Sequence, residues 1–351
     1  MVTAMTASAA KPDIAPLTAA GLSADAVKRW AKSQPAQAKG FAADGKRFSV
    51  FWQASSRLLE QLPKPPQRSE REREVARIIQ DAARRSRVEF LRQHADALYD
   101  ALTSRRSRFL RIEEIAVAAA KRLPGLVPSP KEIAAEEGTL QRDKAGLEID
   151  QGLLISALLG SERSGTHLCH AMLLAREASI DLLPKFIKDG KVDLPGGSIE
   201  RRGKAAILTY KNLRFLNAED QTTLDGFETC VDLALLDARI EIAVLRGGPV
   251  EHPKYAGRRV FGSGINLTHL YHGRIPFLWY LTRDLGYVNK LYRGLAVPHD
   301  AAPDEYGGQT LEKPWIAAVE SFAIGGHCQV LLAVDYVLAE RNAFMTLPAR
   351  K

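Results

Sequence analysis

Apolar positions recur at helical spacing through the first half of the chain and turn into short strand-like runs in the second. Val88, Leu91, Ala95, Leu98 and Leu102 fall three or four residues apart, with arginines and acids between them, which makes one apolar stripe along a helix. Ser69 followed by Glu72 heads that stretch as a capping-box pattern, in which each side chain accepts a hydrogen bond from the other residue's backbone N–H. Pro63, Pro65 and Pro66 interrupt the chain just upstream. Pro124, Pro128 and Pro130 divide this helix system from another that starts near Lys131. The runs 149–159 and 171–187 read as further helices with one apolar face. These patterns predict a helical domain over 26–200, preceded by an Ala/Thr-rich lead-in, 1–25, that is expected to be disordered.

After Pro195-Gly196-Gly197 the period shortens. Residues 206–210 (AILTY) read as a strand, 218–237 as a helix, and 240–246 (IEIAVLR) as a strand ended by Gly247-Gly248. A short strand over 259–261 is broken by Gly262 and Gly264. Residues 313–324 (KPWIAAVESFAI) read as one buried strand ended by Gly325-Gly326, followed by a helix and a strand at 335–339. Strands alternating with helices predict an α/β domain with parallel pairing over 201–351. No internal repeat is visible.

Composition narrows the class. A chain of 351 residues, 46% hydrophobic and 26% charged, reads as a globular protein of two units. No apolar run approaches the roughly 18 residues of a membrane span, and no basic stretch followed by an apolar one marks a signal peptide. Cys169, Cys230 and Cys328 are odd in number and widely spaced, so neither a disulfide framework nor a metal-ligand pattern is expected, and a reducing cytoplasm fits. His167 and His170 with Cys169, and His269 with His272, share helix faces but have no further ligand spaced to close a metal site. A net charge of +8 calls for an anionic partner or simply a basic surface. Zinc-finger, RNP-type and helix-turn-helix signatures are all missing, so nucleic acid is not expected. A ligand carrying a pyrophosphate rewards clustered Lys and Arg equally well. No G-x-G-x-x-G follows a strand, no Walker loop occurs, and Ser321 lies outside any nucleophile elbow, so nicotinamide, flavin, nucleotide and serine-hydrolase chemistries have no support.

Four segments, in order and at the right spacing, resemble the crotonase (enoyl-CoA hydratase/isomerase) superfamily. Residues 210–247 contain Asn217-Ala218 and end in Ile242-Ala243-Val244-Leu245-Arg246-Gly247. Phe261-Gly262-Ser263-Gly264-Ile265-Asn266-Leu267 is similar to the first oxyanion segment. Lys313-Pro314-Trp315-Ile316-Ala317-Ala318-Val319, continued by Phe322-Ala323-Ile324-Gly325-Gly326-His327-Cys328, is similar to the second, and residues 335–348 to the strand and turn that follow. The resemblance spans 205–349. It implies an α/β fold with a crotonase-like ββα spiral core, here preceded by a helical N-terminal domain and apparently incomplete at its C-terminus.

The physical logic is independent of the family. A glycine-lined turn between strand and helix lets backbone N–H groups face outward with no Cβ in the way. Two such donors meeting on a thioester carbonyl hold the charge of an enolate. The family pattern makes those donors the N–H groups of Ile265 and Gly326, with Gly264 and Gly325 around the thioester; His327, in the same turn, would neighbour the thioester or is only a packed imidazole. Hydratases of the superfamily place glutamates where this chain has Gln329 and Ala349. Neither amide nor methyl can act as a general base, so hydration of an enoyl-CoA is not expected.

An arylacetyl-CoA would relax the need for a base, because its carbanion is delocalised into ring and thioester. Such a carbanion can also pass an electron to molecular oxygen. The helical extension and the two turns resemble an unusual branch of the superfamily that oxygenates an arylacetyl-CoA with no metal, flavin or other cofactor. By that resemblance the partners are an aryl-acyl-CoA and molecular oxygen, in a cytoplasmic homo-oligomer, trimeric or hexameric. Gln329 would sit beside the reacting centre. Glu219 would accept from a ring hydroxyl, or is simply an acid in a helix's first turn; Arg283 would donate to a phenolic oxygen, or forms a surface salt bridge. The basic loop His252-Pro253-Lys254-Tyr255, with Arg258, Arg259, Ser263 and Asn266, is the expected coenzyme A contact. Two other classes stay open: a crotonase-fold hydrolase, isomerase or dehydratase on another acyl-CoA, and a non-catalytic acyl-CoA or nucleic-acid binding protein.

Overall fold

Ser69 opens the longest helix of the computed structural model, which describes residues 14–35, 39–297 and 309–347. The N-terminal helices are α1 (Ala15–Ala19), α2 (Ala24–Lys32), α3 (Phe41–Leu59), α4 (Glu70–Leu102), α5 (Ile112–Arg122), α6 (Pro130–Ala135) and α7 (Glu148–Leu159). Both bonds of the capping box at Ser69 and Glu72 are made, at 3.3 and 2.8 Å. The apolar stripe of α4 centres on Phe90, Leu91 and Leu98, which leaves Val88 at its margin and half exposed. Phe48 and Trp52 of α3 pack on Phe90, and the Trp52 indole N–H donates to Ser86 Oγ at 2.8 Å, so the one polar atom of that aromatic cluster is satisfied. Residues 14–25 correct the expected disordered lead-in: they hold α1 and the start of α2, with Leu17 and Leu22 buried. Residues 1–13 lie outside the described residues.

The chain divides into two compact units near residue 165, not at 200. The second unit takes in Phe109–Ile112 and, from Thr166 on, the rest of α8 (Glu162–Leu173) and α9 (Glu177–Asp189). The single helix expected over 171–187 is two, because the Arg176 N–H leaves the helical pattern and donates to Asp232 Oδ2 at 2.8 Å. The helical half also ends early. β1 (Lys191–Leu194) and β2 (Gly196–Arg202) form an antiparallel hairpin around Pro195, with Gly196 at φ +83°.

β3 (Ala205–Lys211), α10 (Leu224–Leu236) and β4 (Ile242–Gly247) follow. Then come α11 (Leu267–Tyr271), α12 (Leu278–Arg283), α13 (Asn289–Arg293), and the strands β5 (Leu295–Ala296) and β6 (Thr310–Leu311). β7 (Trp315–Val319), β8 (Phe322–Ile324), α14 (Gly326–Val330), β9 (Tyr336–Ala339) and β10 (Phe344–Thr346) complete the unit. The main sheet has the order β1-β2-β3-β4-β7-β9, antiparallel to β3 and parallel beyond it. Its register aligns Leu208, Leu245, Ala317 and Val337 in one row across four strands.

The run 313–324 is not one strand. It breaks at Glu320-Ser321, where Ser321 takes φ +68°, and the chain changes sheets. β8 pairs instead with β10, and a bridge joins Ala323 to Gly262; the expected strand at 259–261 contributes only isolated bridges of this kind. A second, shorter layer of parallel pairings thus runs beside the main sheet, as in the crotonase-like ββα spiral, and it carries both glycine turns.

A buried ion network joins α10 to α13. Lys290 Nζ sits 2.8 Å from Glu228 Oε1 and 2.7 Å from Asp232 Oδ1, all three fully buried. Arg111 and Arg176 bond the other Glu228 oxygen, and Ser179 Oγ donates to Asp232. Burial pushes the Glu228 carboxyl up, but Lys290 and the two arginines outweigh it and hold it at about 2.

Candidate active site

The two glycine turns touch. Gly264 has φ +82° and Gly325 φ +57°, conformations that a side chain makes costly. A Cβ on Gly264 would lie 3.0 Å from the Ile324 carbonyl oxygen and 3.3 Å from the Gly326 nitrogen. On the first turn the Glu219 N–H donates to the Gly264 carbonyl at 2.7 Å, and the Asn266 N–H to the Glu219 carbonyl at 2.8 Å. In such a parallel bridge the residue between, Ile265, faces its own N–H away from the bonded strand. On the second turn Gly326 is the first residue of α14, so its N–H is one of the donors a helix start leaves open. Neither N–H has a protein acceptor among the described residues.

His327 ties the turns together. Its ring is fully buried, and Nδ1 accepts the Gly264 N–H at 3.1 Å, which assigns the ring proton of the neutral form to Nε2. Tyr210 and Phe261 meet it in T-shaped contacts, and a Cβ on Gly262 would run into it. Burial is the main cause that lowers its pKa to about 4; the Glu219 charge opposes and the Arg283 charge adds. A histidine depressed from 6.5 to about 4 by folding binds its proton first in the unfolded chain. Its contribution to stability is therefore complete above pH 6.5 and is lost as pH falls toward 4. Chemical denaturation at stepped pH should show that slope, and His327→Asn, whose amide oxygen can still accept from Gly264, should flatten it.

Glu219 and Arg283, expected as separate ring contacts, are joined to each other. Arg283 Nε lies 2.9 Å from both Glu219 oxygens and Nη2 2.9 Å from Oε2. The Tyr287 hydroxyl donates to Glu219 Oε1, Arg283 Nη2 to the Gly326 carbonyl at 2.7 Å, and Nη1 to Asp284 Oδ1 at 2.7 Å. Glu219 and Arg283 are 6% and 3% exposed, so this is no surface salt bridge. Glu219 is no helix-start acid either, since α10 begins five residues later. Burial raises its pKa, yet Arg283 and His327 bring it below the usual range, so it is a carboxylate.

The other candidates divide. Lys254 and Arg258 of the basic loop are exposed; Lys254 Nζ stands 5.2 Å from the Tyr255 ring, which packs on Phe322. His252 Nδ1 accepts the Lys254 N–H after Pro253, and Arg259 Nη1 donates to the Gly247 carbonyl, so these residues shape the loop. Ser263 Oγ donates to the Phe215 carbonyl. Asn266 corrects the expectation that it meets coenzyme A. It is 2% exposed, donates to Asp220 Oδ2 at 2.8 Å and caps α11 by accepting the His269 N–H at 3.2 Å. Gln329 is an exposed residue of α14, and Ala349 lies outside the described residues. Tyr287 and Asp284 were not singled out from sequence; the four-residue spacing of Arg283 and Tyr287 is the one local signal that could have found the tyrosine. His269 bonds Asp220 and His167 stacks on Phe109; among the described residues no group of three or more His, Cys, Asp or Glu is placed to hold a metal. Among the same residues no helix is long and apolar enough to cross a membrane.

No family model matches the sequence. A (3,5-dihydroxyphenyl)acetyl-CoA 1,2-dioxygenase from Amycolatopsis orientalis is 44% identical over 307 residues, which cover 87% of this chain and 70% of that protein. A short-chain-enoyl-CoA hydratase from Clostridium acetobutylicum is 27% identical over 146 residues, 41% of this chain and 46% of the hydratase. Among solved structures, an enoyl-CoA hydratase/isomerase from Xanthobacter autotrophicus Py2 matches with 24% identity and a TM-score of 0.34, over 44% of this chain and 49% of that one. The chain thus spans about half the length of these two hydratases.

Proposed function

We propose, since this chain belongs to the family of the (3,5-dihydroxyphenyl)acetyl-CoA 1,2-dioxygenase, within the crotonase superfamily, that it is a dioxygenase of 3,5-dihydroxyphenylacetyl-CoA. The α-carbon loses a proton and its electron pair moves onto the thioester oxygen. The N–H groups of Ile265 and Gly326 hold that charge. The carbanion then reduces molecular oxygen, both oxygen atoms enter the product, and the carbon–sulfur bond breaks to leave 3,5-dihydroxyphenylglyoxylate and free CoA. One thioester and one O2 give one keto acid and one thiol, so no external reductant is needed. No metal, flavin or other cofactor takes part in this scheme, and within the basic loop exposed Lys254, with Arg258 beside Glu340 at 4.0 Å, would meet the coenzyme A phosphates. The protein would work as a cytoplasmic homo-oligomer and supply the arylglyoxylate precursor of a glycopeptide antibiotic.

The observation that carries this reading is the pair of touching glycine turns whose two N–H groups have no protein acceptor among the described residues. An oxygen electrode tests it. With 3,5-dihydroxyphenylacetyl-CoA and a metal chelator present, oxygen uptake matched by free CoA is the expected result. CoA release that continues without oxygen would point to a thioester hydrolase instead, and no consumption of either would end the enzyme reading for this substrate.

A further inference from the structure

Ile265 pairs with residue 219 in an isolated bridge, with no ladder to extend it. Gly264, at φ +82°, has no side chain to steady the peptide that follows. We infer that Asp220 is a positioning residue for the Ile265 amide, acting through Asn266 and His269 without itself meeting the substrate. The inference rests on the enolate reading above and says what steadies one of its two donors.

Asp220 is fully buried, and its two oxygens have separate tasks. Oδ1 accepts from the Thr222 N–H at 2.9 Å and from the Thr222 hydroxyl at 2.6 Å, which fixes the carboxylate on its own loop. Oδ2 serves the glycine turn. Asn266 Nδ2 donates to it at 2.8 Å, and His269 Nδ1 lies 2.9 Å away. An ionised carboxylate only accepts, so His269 carries a proton on Nδ1. Asn266 Oδ1 in turn accepts the His269 N–H at 3.2 Å. Carboxylate, amide and imidazole thus close a ring on the residue that follows Ile265. Asn212 Nδ2 also donates to Oδ2, at 3.1 Å, and to the Ala218 carbonyl at 2.7 Å, which ties the ring to the end of β3. These donors fill the lone pairs of the carboxylate, so it has nothing to offer a ligand. What it can do is hold the start of α11, and with it the peptide plane that presents the Ile265 N–H.

Anaerobic exchange of the α-hydrogens of 3,5-dihydroxyphenylacetyl-CoA into D2O reads enolate formation without oxygen chemistry. His269→Phe removes the imidazole donor but keeps a ring against Phe215, so it should stay folded by thermal unfolding. Its exchange kcat should fall about tenfold, part of the 10²–10³ that a whole lost donor costs. His269→Asn, whose Nδ2 can stand where Nδ1 stood, should recover most of that loss. Asp220→Asn should lose at least as much as His269→Phe. The thioether of the same aryl group with CoA has no carbonyl oxygen for the donors to hold, so its Ki should stay within about twofold of the parent. Parent-like exchange in His269→Phe would overturn the inference. So would a loss matched by equal weakening of the thioether, which marks a general disturbance of the site. A loss absent with phenylacetyl-CoA would overturn it too, because the change would then act on the ring hydroxyls and not on the amide. If the parent chain exchanges no α-hydrogen, the enolate reading itself falls and this inference with it.

Discussion

Replacing Gly326 by proline is expected to lower turnover about 10²–10³-fold, with little change in KM. Proline removes the N–H outright, and Gly326 is the first residue of α14, the helix position that tolerates proline best. The loss should therefore report the donor and not a broken helix. A lost oxyanion donor costs about 3–4 kcal/mol in the transition state and far less in the ground state, which is why kcat and not KM carries the effect. Gly326→Ala is the steric control. It retains the N–H but pushes a methyl to 3.0 Å from Glu219 Oε2, a contact the pair must yield to. Steady-state oxygen uptake by the two variants separates the terms. Should alanine cost as much as proline, crowding would explain both and the Gly326 amide would not be a donor.

The largest effect on stability is expected from Lys290→Met. Its ammonium is enclosed between Glu228 and Asp232, with no exposure on any of the three. Methionine matches the stem but leaves two buried carboxylates short of a cation, at a cost of about 3–5 kcal/mol. For a unit of this size that is roughly ten degrees in Tm. Adding Asp232→Asn should return part of the loss, because one of the stranded charges goes with it. Differential scanning calorimetry of the single and double variants checks both statements. A single variant within 1 kcal/mol of the parent would mean that water reaches the lysine and the network is not closed.

The glycine turns were legible in sequence because positive φ at Gly264 and Gly325 is a demand that few residues meet, so the requirement is written locally. The capping box at Ser69 and Glu72 was legible for the same reason: both partners lie within one helical turn. Distance along the chain hid the rest. Glu219 meets Arg283 and Tyr287 across 64 and 68 residues, and no local pattern says which buried acid finds which arginine. The hairpin at 191–202 was masked by Pro195-Gly196-Gly197, which reads as a boundary although Gly196 and Gly197 belong to β2. Asn266 misled by its neighbours. A polar residue beside an oxyanion turn suggests a ligand, yet capping α11 and bonding Asp220 use up its side chain.

The left-handed corner at Ser321 has a mechanical consequence. Trp315 is locked in the main sheet, while Gly326, eleven positions on, presents its amide from the other layer. Between them the chain turns once, at Ser321, so the register of β7 sets where β8 begins, and β8 runs directly into the turn that carries that amide. Trp315 and Ala317 are buried in that strand, so the placement of the Gly326 amide rests on core packing as well as on the turn itself.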